Sequence, residues 1–206
     1  MSLRRKSFRD EADLRLFGEW IPDGSRVLDV GCGRGILLEH LVTQKRAFGV
    51  GVDNDPVKVA GCVERGVNVI QGDLHAVLRE VPDASYDWVV CSRVLQELSN
   101  PAEVVLQALR IGRRVAVAFV NHGHWRNRLS MVRYGHRARN RLYPNPWYQS
   151  EPTNPVSITD FEEFCAHYGI TVARRAYLAG DWKSPCRVLP KLLAGYGVYE
   201  LVRTEK

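Results

Sequence analysis

Apolar and polar positions along this chain fall into blocks whose period keeps switching. Over 11–20, Leu14, Leu16, Phe17 and Trp20 recur at helical spacing, and Ile21-Pro22-Asp23-Gly24 closes that segment with a turn. A buried strand is predicted at 26–30, followed by a glycine-rich turn that opens a helix through Ile36, Leu37, Leu38, Leu41 and Val42. The alternation then repeats. Strands are predicted at 48–52, 67–71, 86–91 and 114–120, separated by a helix from Asp55-Pro56 to 65, a short helix at 75–79, and one capped by Asn100-Pro101 that runs to 110. Such regular alternation predicts an α/β fold, a doubly wound and mostly parallel sheet covered on both faces.

The pattern breaks over 121–156. That stretch holds His122, His124, Trp125, a run of arginines and Tyr143-Pro144-Asn145-Pro146-Trp147-Tyr148, too long for an ordinary connection and too aromatic for a slack linker. It reads as an insertion or lid after strand five, over the working edge of the sheet. Regularity returns at 157–168, where Thr159 with Glu162 has capping-box spacing and Gly169 ends the helix. The last strands are predicted at 170–177 and 198–202. No internal repeat or low-complexity tract is visible, so 1–206 reads as a single domain.

Composition narrows the picture. With 45% apolar and 25% charged residues among 206, the chain belongs with ordinary globular proteins rather than disordered or fibrous ones. The longest uncharged apolar stretch, 115–120, is far short of the roughly 20 residues of a membrane span. The basic start at 1–6 leads into polar residues instead of an apolar leader segment, so a cytoplasmic protein is expected. Cys32, Cys62, Cys91, Cys165 and Cys186 are odd in number and include no C-x-x-C pair. They read as small buried residues, with neither a disulfide framework nor a metal site expected. The net charge of +6 is carried by one segment, where Arg126, Arg128, Arg133, Arg137, Arg139 and Arg141 stand without an acid between them. The rest is near neutral, so a protein that coats nucleic acid is not expected.

The most specific feature is Asp29-Val30-Gly31-Cys32-Gly33-Arg34-Gly35, at the junction of the first strand and the following helix. In a doubly wound sheet ligands bind beyond the C-terminal strand ends near such a junction. Glycines let the backbone turn sharply and approach a ligand, and a helix N-terminus favours an anionic group. The dinucleotide spacing requires glycine where Ile36 stands, and no Gly-Lys-Ser/Thr follows, which excludes a P-loop. Asp29, so close to the loop, repels pyrophosphate and suits a cationic amino group. Asp53, at the end of the second strand, can accept both hydroxyl protons of a ribose. Asp73, in Gly72-Asp73-Leu74 after the third strand, can accept from an adenine amine. Three acids at successive strand ends, with no phosphate-binding lysine, describe S-adenosylmethionine (SAM). Each acid also has a structural alternative: Asp29 capping the turn, Asp53 and Asp55 capping the next helix, Asp73 as an N-cap.

This arrangement resembles the class I, Rossmann-like, SAM-dependent methyltransferases over roughly residues 20–120 and the closing strands. A closer resemblance spans most of the chain. Arg65-Gly66-Val67-Asn68-Val69-Ile70-Gln71-Gly72-Asp73-Leu74, Leu109-Arg110-Ile111-Gly112-Arg113-Arg114, Gly123-His124-Trp125-Arg126 and Trp147-Tyr148 are similar to the methionine biosynthesis protein MetW family. The resemblance implies a cofactor site of Asp29, Gly31, Cys32, Gly33, Gly35, Asp53, Asn54, Asp73, Leu74 and Ser92, holding SAM and releasing S-adenosylhomocysteine. It also implies a link to homoserine O-acyltransferase in methionine synthesis. The chain departs from the family in the insertion. The family proline is absent at Val120-Asn121-His122, and Asn154 stands where the family carries histidine.

Methyl transfer from a sulfonium is an in-line displacement, for which the protein chiefly aligns the nucleophile and excludes water. A base is needed only if the acceptor must lose a proton. The loop after strand four, Cys91-Ser92-Arg93-Val94-Leu95-Gln96-Glu97-Leu98, lacks the Asn-Pro-Pro-Tyr type of motif of amine-methylating DNA enzymes. It is closer to small-molecule methyltransferases, with Glu97 as a candidate base or a solvated capping residue. His124 and His122 are further candidates, or one packs on Trp125 and bonds the backbone. Tyr148 completes the set. The arginine segment suits an anionic substrate or an acidic partner better than RNA, and part of it reads as a solvated helix face. Two functions follow: a methyltransferase for a small, anionic acceptor, or a non-catalytic SAM-binding subunit of an acyltransferase. The first is the favoured reading, although the lack of a convincing base leans slightly toward the second.

Overall fold

Strands that are apolar on both faces can only be stable if helices cover both, and the observed sheet obeys that rule. In order come α1 (Ala12–Trp20), β1 (Arg26–Val30), α2 (Ile36–Lys45), β2 (Phe48–Asp53), α3 (Pro56–Val63), β3 (Asn68–Gln71), α4 (Leu74–Glu80) and β4 (Tyr86–Ser92). Then follow α5 (Pro101–Ile111), β5 (Gly112–Val120), α6 (Trp125–Tyr134), α7 (Ile158–His167), β6 (Thr171–Leu178), α8 (Pro190–Leu193) and β7 (Tyr196–Val202). This computed structural model describes residues 8, 11–137, 139, 144, 145, 147–149 and 153–203. Arg141, Tyr143 and the basic start at 1–6 lie outside the described residues.

The seven strands run in the order β3-β2-β1-β4-β5-β7-β6. The first five are parallel, whereas β7 enters antiparallel between β5 and β6. Alternate strand residues sort the core in two. Val27, Trp88, Val90, Ala116 and Ala118 pack with Phe17 of α1, Leu37, Leu38 and Leu41 of α2, and Cys62 of α3. On the other face Leu28, Val89, Cys91, Val115 and Val117 meet Leu78 of α4, Val104 and Ala108 of α5, and Phe161 of α7. The antiparallel insertion of β7 is marked by Glu200. Its carboxylate is fully buried and paired with Arg114 of β5 on one side and Arg174 of β6 on the other, the latter at 3.0 Å. A one-residue slip of β7 would turn Glu200 to the opposite face and strand its charge.

Local chemistry sets the helix starts. Asn100 accepts from the Glu103 amide, and Asp55 and Asp73 accept from the Val57 and Ala76 amides. The capping box of α7 sits two residues earlier than the sequence suggests. Ser157, not Thr159, receives the Asp160 amide, and Asp160 returns a bond to the Ser157 amide, because Ile158 must already be helical to bury its side chain. Ser157→Ala is expected to lower stability by about 1 kcal/mol, while Thr159→Ala costs less than about 0.5 kcal/mol. Urea midpoints of the two variants at constant slope distinguish them.

The two described ends of the 121–156 stretch are held together beside the end of β5. The Asn121 side chain bonds Ala194, Gly123 and Ile158, the His122 amide donates to Val156, and the Asn154 amide donates to Gln96. Between these ends α6 has no buried residue. Among the described residues no helix is long and apolar enough to cross a membrane.

Candidate active site

Beyond the C-terminal ends of β1 and β4 lies a cavity of about 720 Å³. Its floor is the glycine loop, and the sequence motif is legible in its dihedrals. Gly31, Gly33 and Gly35 have φ of 72°, 57° and 70°, all in the left-handed region that a side chain disfavours. A Cβ on Gly33 would meet nothing within 4 Å, so the loop presents bare backbone to the cavity there. At Gly31 the constraint is packing: a Cβ would lie 2.6 Å from a Val94 methyl.

Asp29 lies on the cavity wall and is 3% exposed. Burial first, and the neighbouring Asp53 charge second, push its carboxyl up to about 7. Among the described residues no group donates a hydrogen bond to it. A buried acid of this kind either holds a proton or is paired with a cation. Asp53 stands behind the loop. One carboxylate oxygen accepts from the Gly33 amide at 2.9 Å and the other from the Asp55 amide at 3.1 Å. The β2–β3 register sets Asp53 opposite Gln71, and the Gly72 amide donates to the Asp53 carbonyl, so the three acidic strand ends lie side by side.

The predicted cofactor residues divide accordingly. Asp29, Gly31, Cys32, Gly33 and Ser92 line the cavity, and Gly35 closes the loop against Cys62. Asp53 holds the loop from behind. Asn54 and Asp73 are exposed at the neighbouring strand ends, and Leu74 is buried in the first turn of α4. Asp73 is an N-cap, as its structural alternative required.

The candidate bases are not brought together. Glu97 lies exposed on a single turn of 3-10 helix, Tyr148 is exposed, and neither they nor His124 is among the described wall residues. His124 caps α6, its Nδ1 accepting from the Arg126 amide while its ring packs near Trp125. Burial lowers the pKa of both His124 and His122. None of the described residues of 121–156 lines the cavity.

In their place the wall carries groups that the sequence reading missed. Arg93, with a left-handed φ of 62°, follows β4 directly and reaches back to α1. Its guanidinium pairs with Glu11 and Asp13 and donates to the Tyr196 hydroxyl at 2.9 Å. Ser92 and Tyr196 also donate to the same Asp13 oxygen, at 3.0 and 3.1 Å. This cluster fastens the N-terminal end of α1 across the cavity. The only local signal for it was a charged residue at the end of an apolar strand.

Known proteins share this architecture. The structure of a SAM-dependent methyltransferase from Archaeoglobus fulgidus superposes with a TM-score of 0.68 at 17% identity, covering 93% of this chain and 92% of that one. The magnesium protoporphyrin IX methyltransferase of Synechocystis PCC 6803, solved with S-adenosylhomocysteine (SAH) bound, gives 0.63 at 18% identity, covering 93% and 80%. The fold is therefore the class I methyltransferase fold. In sequence, the bifunctional methionine biosynthesis protein MetXA/MetW of Rhodopirellula baltica is 33% identical over 125 residues, 57% of this chain and a fifth (20%) of that protein's length. The sequence profile described as methionine biosynthesis protein MetW matches residues 11–201, and with the glycine loop, the strand order and the β1–β4 cavity in agreement, the chain belongs to that family.

Proposed function

We propose that this protein binds SAM in the β1–β4 cavity and transfers its methyl group to a small, anionic acceptor. The observation that carries the reading is Asp29: a buried carboxyl on the wall of an open cavity, beside a loop of three left-handed glycines. When bound, the cofactor supplies an already activated methyl group. Asp29 takes its ammonium group, the bare backbone at Gly33 permits close approach, and Asp53 keeps the loop in shape from behind, at the strand end next to the ribose position. Asn54, Asp73 and Leu74 stand where the adenine end would lie. Ser92 and Arg93 close the side next to β4. Arg34, on the wall and without an ion pair among the described residues, supports an anionic group in the same space.

Asp53→Ala is expected to weaken SAM binding by about 1–3 kcal/mol through lost charge-assisted hydrogen bonds. Calorimetric titration with SAM and SAH checks it. Unchanged affinity would remove Asp53 from the site, and no binding by the unmodified protein would overturn the cofactor reading.

A second reading, a SAM-binding subunit of an acyltransferase, is favoured by one observation. Among the described wall residues none of the candidate bases Glu97, His122, His124 and Tyr148 appears, whereas α6 offers a solvent-facing stripe of Trp125, Leu129 and Val132 flanked by Arg126, Arg128 and Arg133. The R. baltica relative is named as a MetXA/MetW fusion, which is consistent with a partner docking there. A labelled-methyl transfer assay run beside co-purification with a homoserine O-acyltransferase separates the two. Transfer without the partner supports the enzyme. Capture that is lost in Arg126→Glu/Arg133→Glu, with no transfer, supports the subunit.

A further inference from the structure

Two thiols meet beneath the glycine loop. Cys32 stands between Gly31 and Gly33, Cys62 lies in the last turn of α3, and their Sγ atoms are 3.8 Å apart. Cys62 is fully buried, and Cys32 borders the cavity. Two glycines make room for them. A Cβ on Gly51 would lie 2.5 Å from the Cys32 sulfur, and one on Gly35 would lie 3.0 Å from the Cys62 sulfur. Cys62 also donates to the Gly33 carbonyl at 3.2 Å, so its sulfur touches the loop at two points. The hydrogen bond between the two sulfurs lowers the Cys62 thiol from its ordinary value and raises that of Cys32. Cys91 and Cys165 belong to the core on the other face of the sheet, away from this pair.

We propose that Cys32 and Cys62 form an oxidisable dithiol, a modification site that closes to a disulfide while the cavity is open and that distorts the cofactor loop when closed. This rests on the reading of the cavity as the SAM site. The oxidant is a hydroperoxide. One sulfur attacks a peroxide oxygen, the O–O bond breaks, and a sulfenic acid and one water form with hydrogen peroxide. The second thiol then displaces hydroxide from that sulfur. The S–O bond breaks, the S–S bond forms, and a second water leaves. The two thiols lose two electrons and two protons overall, and the peroxide takes up both. A disulfide needs its sulfurs at about 2.05 Å. Closing from 3.8 Å draws Cys32 toward α3 and with it Gly33, whose amide is bonded to Asp53. A ligand lying on the loop covers Cys32 and blocks the oxidant.

The test treats reduced protein with hydrogen peroxide, with and without SAH, then alkylates remaining thiols and maps peptides without reduction. The expected product is a Cys32–Cys62 linked peptide and an intact mass lower by two hydrogens, with Cys91 and Cys165 still free. Saturating SAH should slow its formation by about tenfold or more, and oxidised protein should bind SAH at least about tenfold more weakly until dithiothreitol restores it. Cys62→Ser, whose hydroxyl can still donate to Gly33, should bind SAH normally and form no linked peptide with peroxide, any oxidation stopping at a Cys32 sulfenic acid. The proposal is overturned if SAH binds the reduced protein and no linked peptide forms in its absence, or if the linked protein binds SAH undiminished. Reduced protein that binds no SAH overturns the cofactor reading instead, and the linked peptide then decides the dithiol alone.

Discussion

Gly31→Ala is expected to unfold about 5–12 °C below the unmodified protein, a loss of about 2–4 kcal/mol for a domain of this size. Two separate costs add. A side chain at φ of 72° carries the left-handed penalty, on the order of 1–2 kcal/mol. The new Cβ also lies 2.6 Å from one Val94 methyl and 2.9 Å from its Cβ, and Val94 is buried with a stiff, branched side chain that has little freedom to yield. The double variant Gly31→Ala/Val94→Ala separates the two costs. Truncating the valine removes the methyl contact at 2.6 Å and leaves the Cβ contact at 2.9 Å and the backbone cost, so the pair should be less destabilised than the sum of the single changes. Strict additivity in thermal unfolding would show that the clash is not the cause.

Ligand affinity is expected to rise with pH across Asp29. In the free protein this carboxyl is pushed up to about 7, by burial and then by the Asp53 charge, so at pH 6 most molecules carry it protonated. A ligand ammonium group favours the charged form, and binding at pH 6 therefore expels a proton. SAH affinity should improve by about tenfold between pH 6 and 8, then turn over at higher pH as the ligand's own α-amino group loses its charge. Asp29→Asn should bind more weakly and without the rise. Calorimetry in buffers of different ionisation enthalpy measures the released proton directly, and a pH-independent affinity in the unmodified protein would remove Asp29 from the ammonium site. The sign for stability is opposite. Because the folded-state pKa lies above that of the unfolded chain, the contribution of Asp29 is fully present below about pH 4 and is lost as pH rises through about 7.

Much of the cofactor side of the site follows from local rules. The glycine spacing marked a left-handed turn, Asp29 and Asp53 fell at strand ends, and the alternation of 3.6-residue and continuous apolar patterns gave the strands and the helices α1 to α5 and α7 nearly to the residue, but not α6 or α8. The helix start at Asn100-Pro101 was readable because a cap and a proline act within four residues of each other. The α7 cap was misread for the same kind of reason. Thr159/Glu162 and Ser157/Asp160 both have capping spacing, and only the burial of Ile158 selects between them.

Sequence alone determined the fold class and the position of the glycine loop, because each rests on interactions between near neighbours and on a periodicity that survives without knowledge of the partner surface; the family followed from the resemblance of its motifs. Tertiary structure decided the rest. It placed β7 antiparallel between β5 and β6, with buried Glu200 held between Arg114 and Arg174. It tied Arg93 to Asp13 and Asp13 to Tyr196, joining residues 80 and 183 positions apart, and brought Cys32 and Cys62 together across 30. It also left the candidate bases His124, Glu97 and Tyr148 off the described cavity wall. These outcomes depend on which distant charges and thiols are desolvated together. Chain spacing does not encode that choice; the packing of the sheet and its two helical layers makes it.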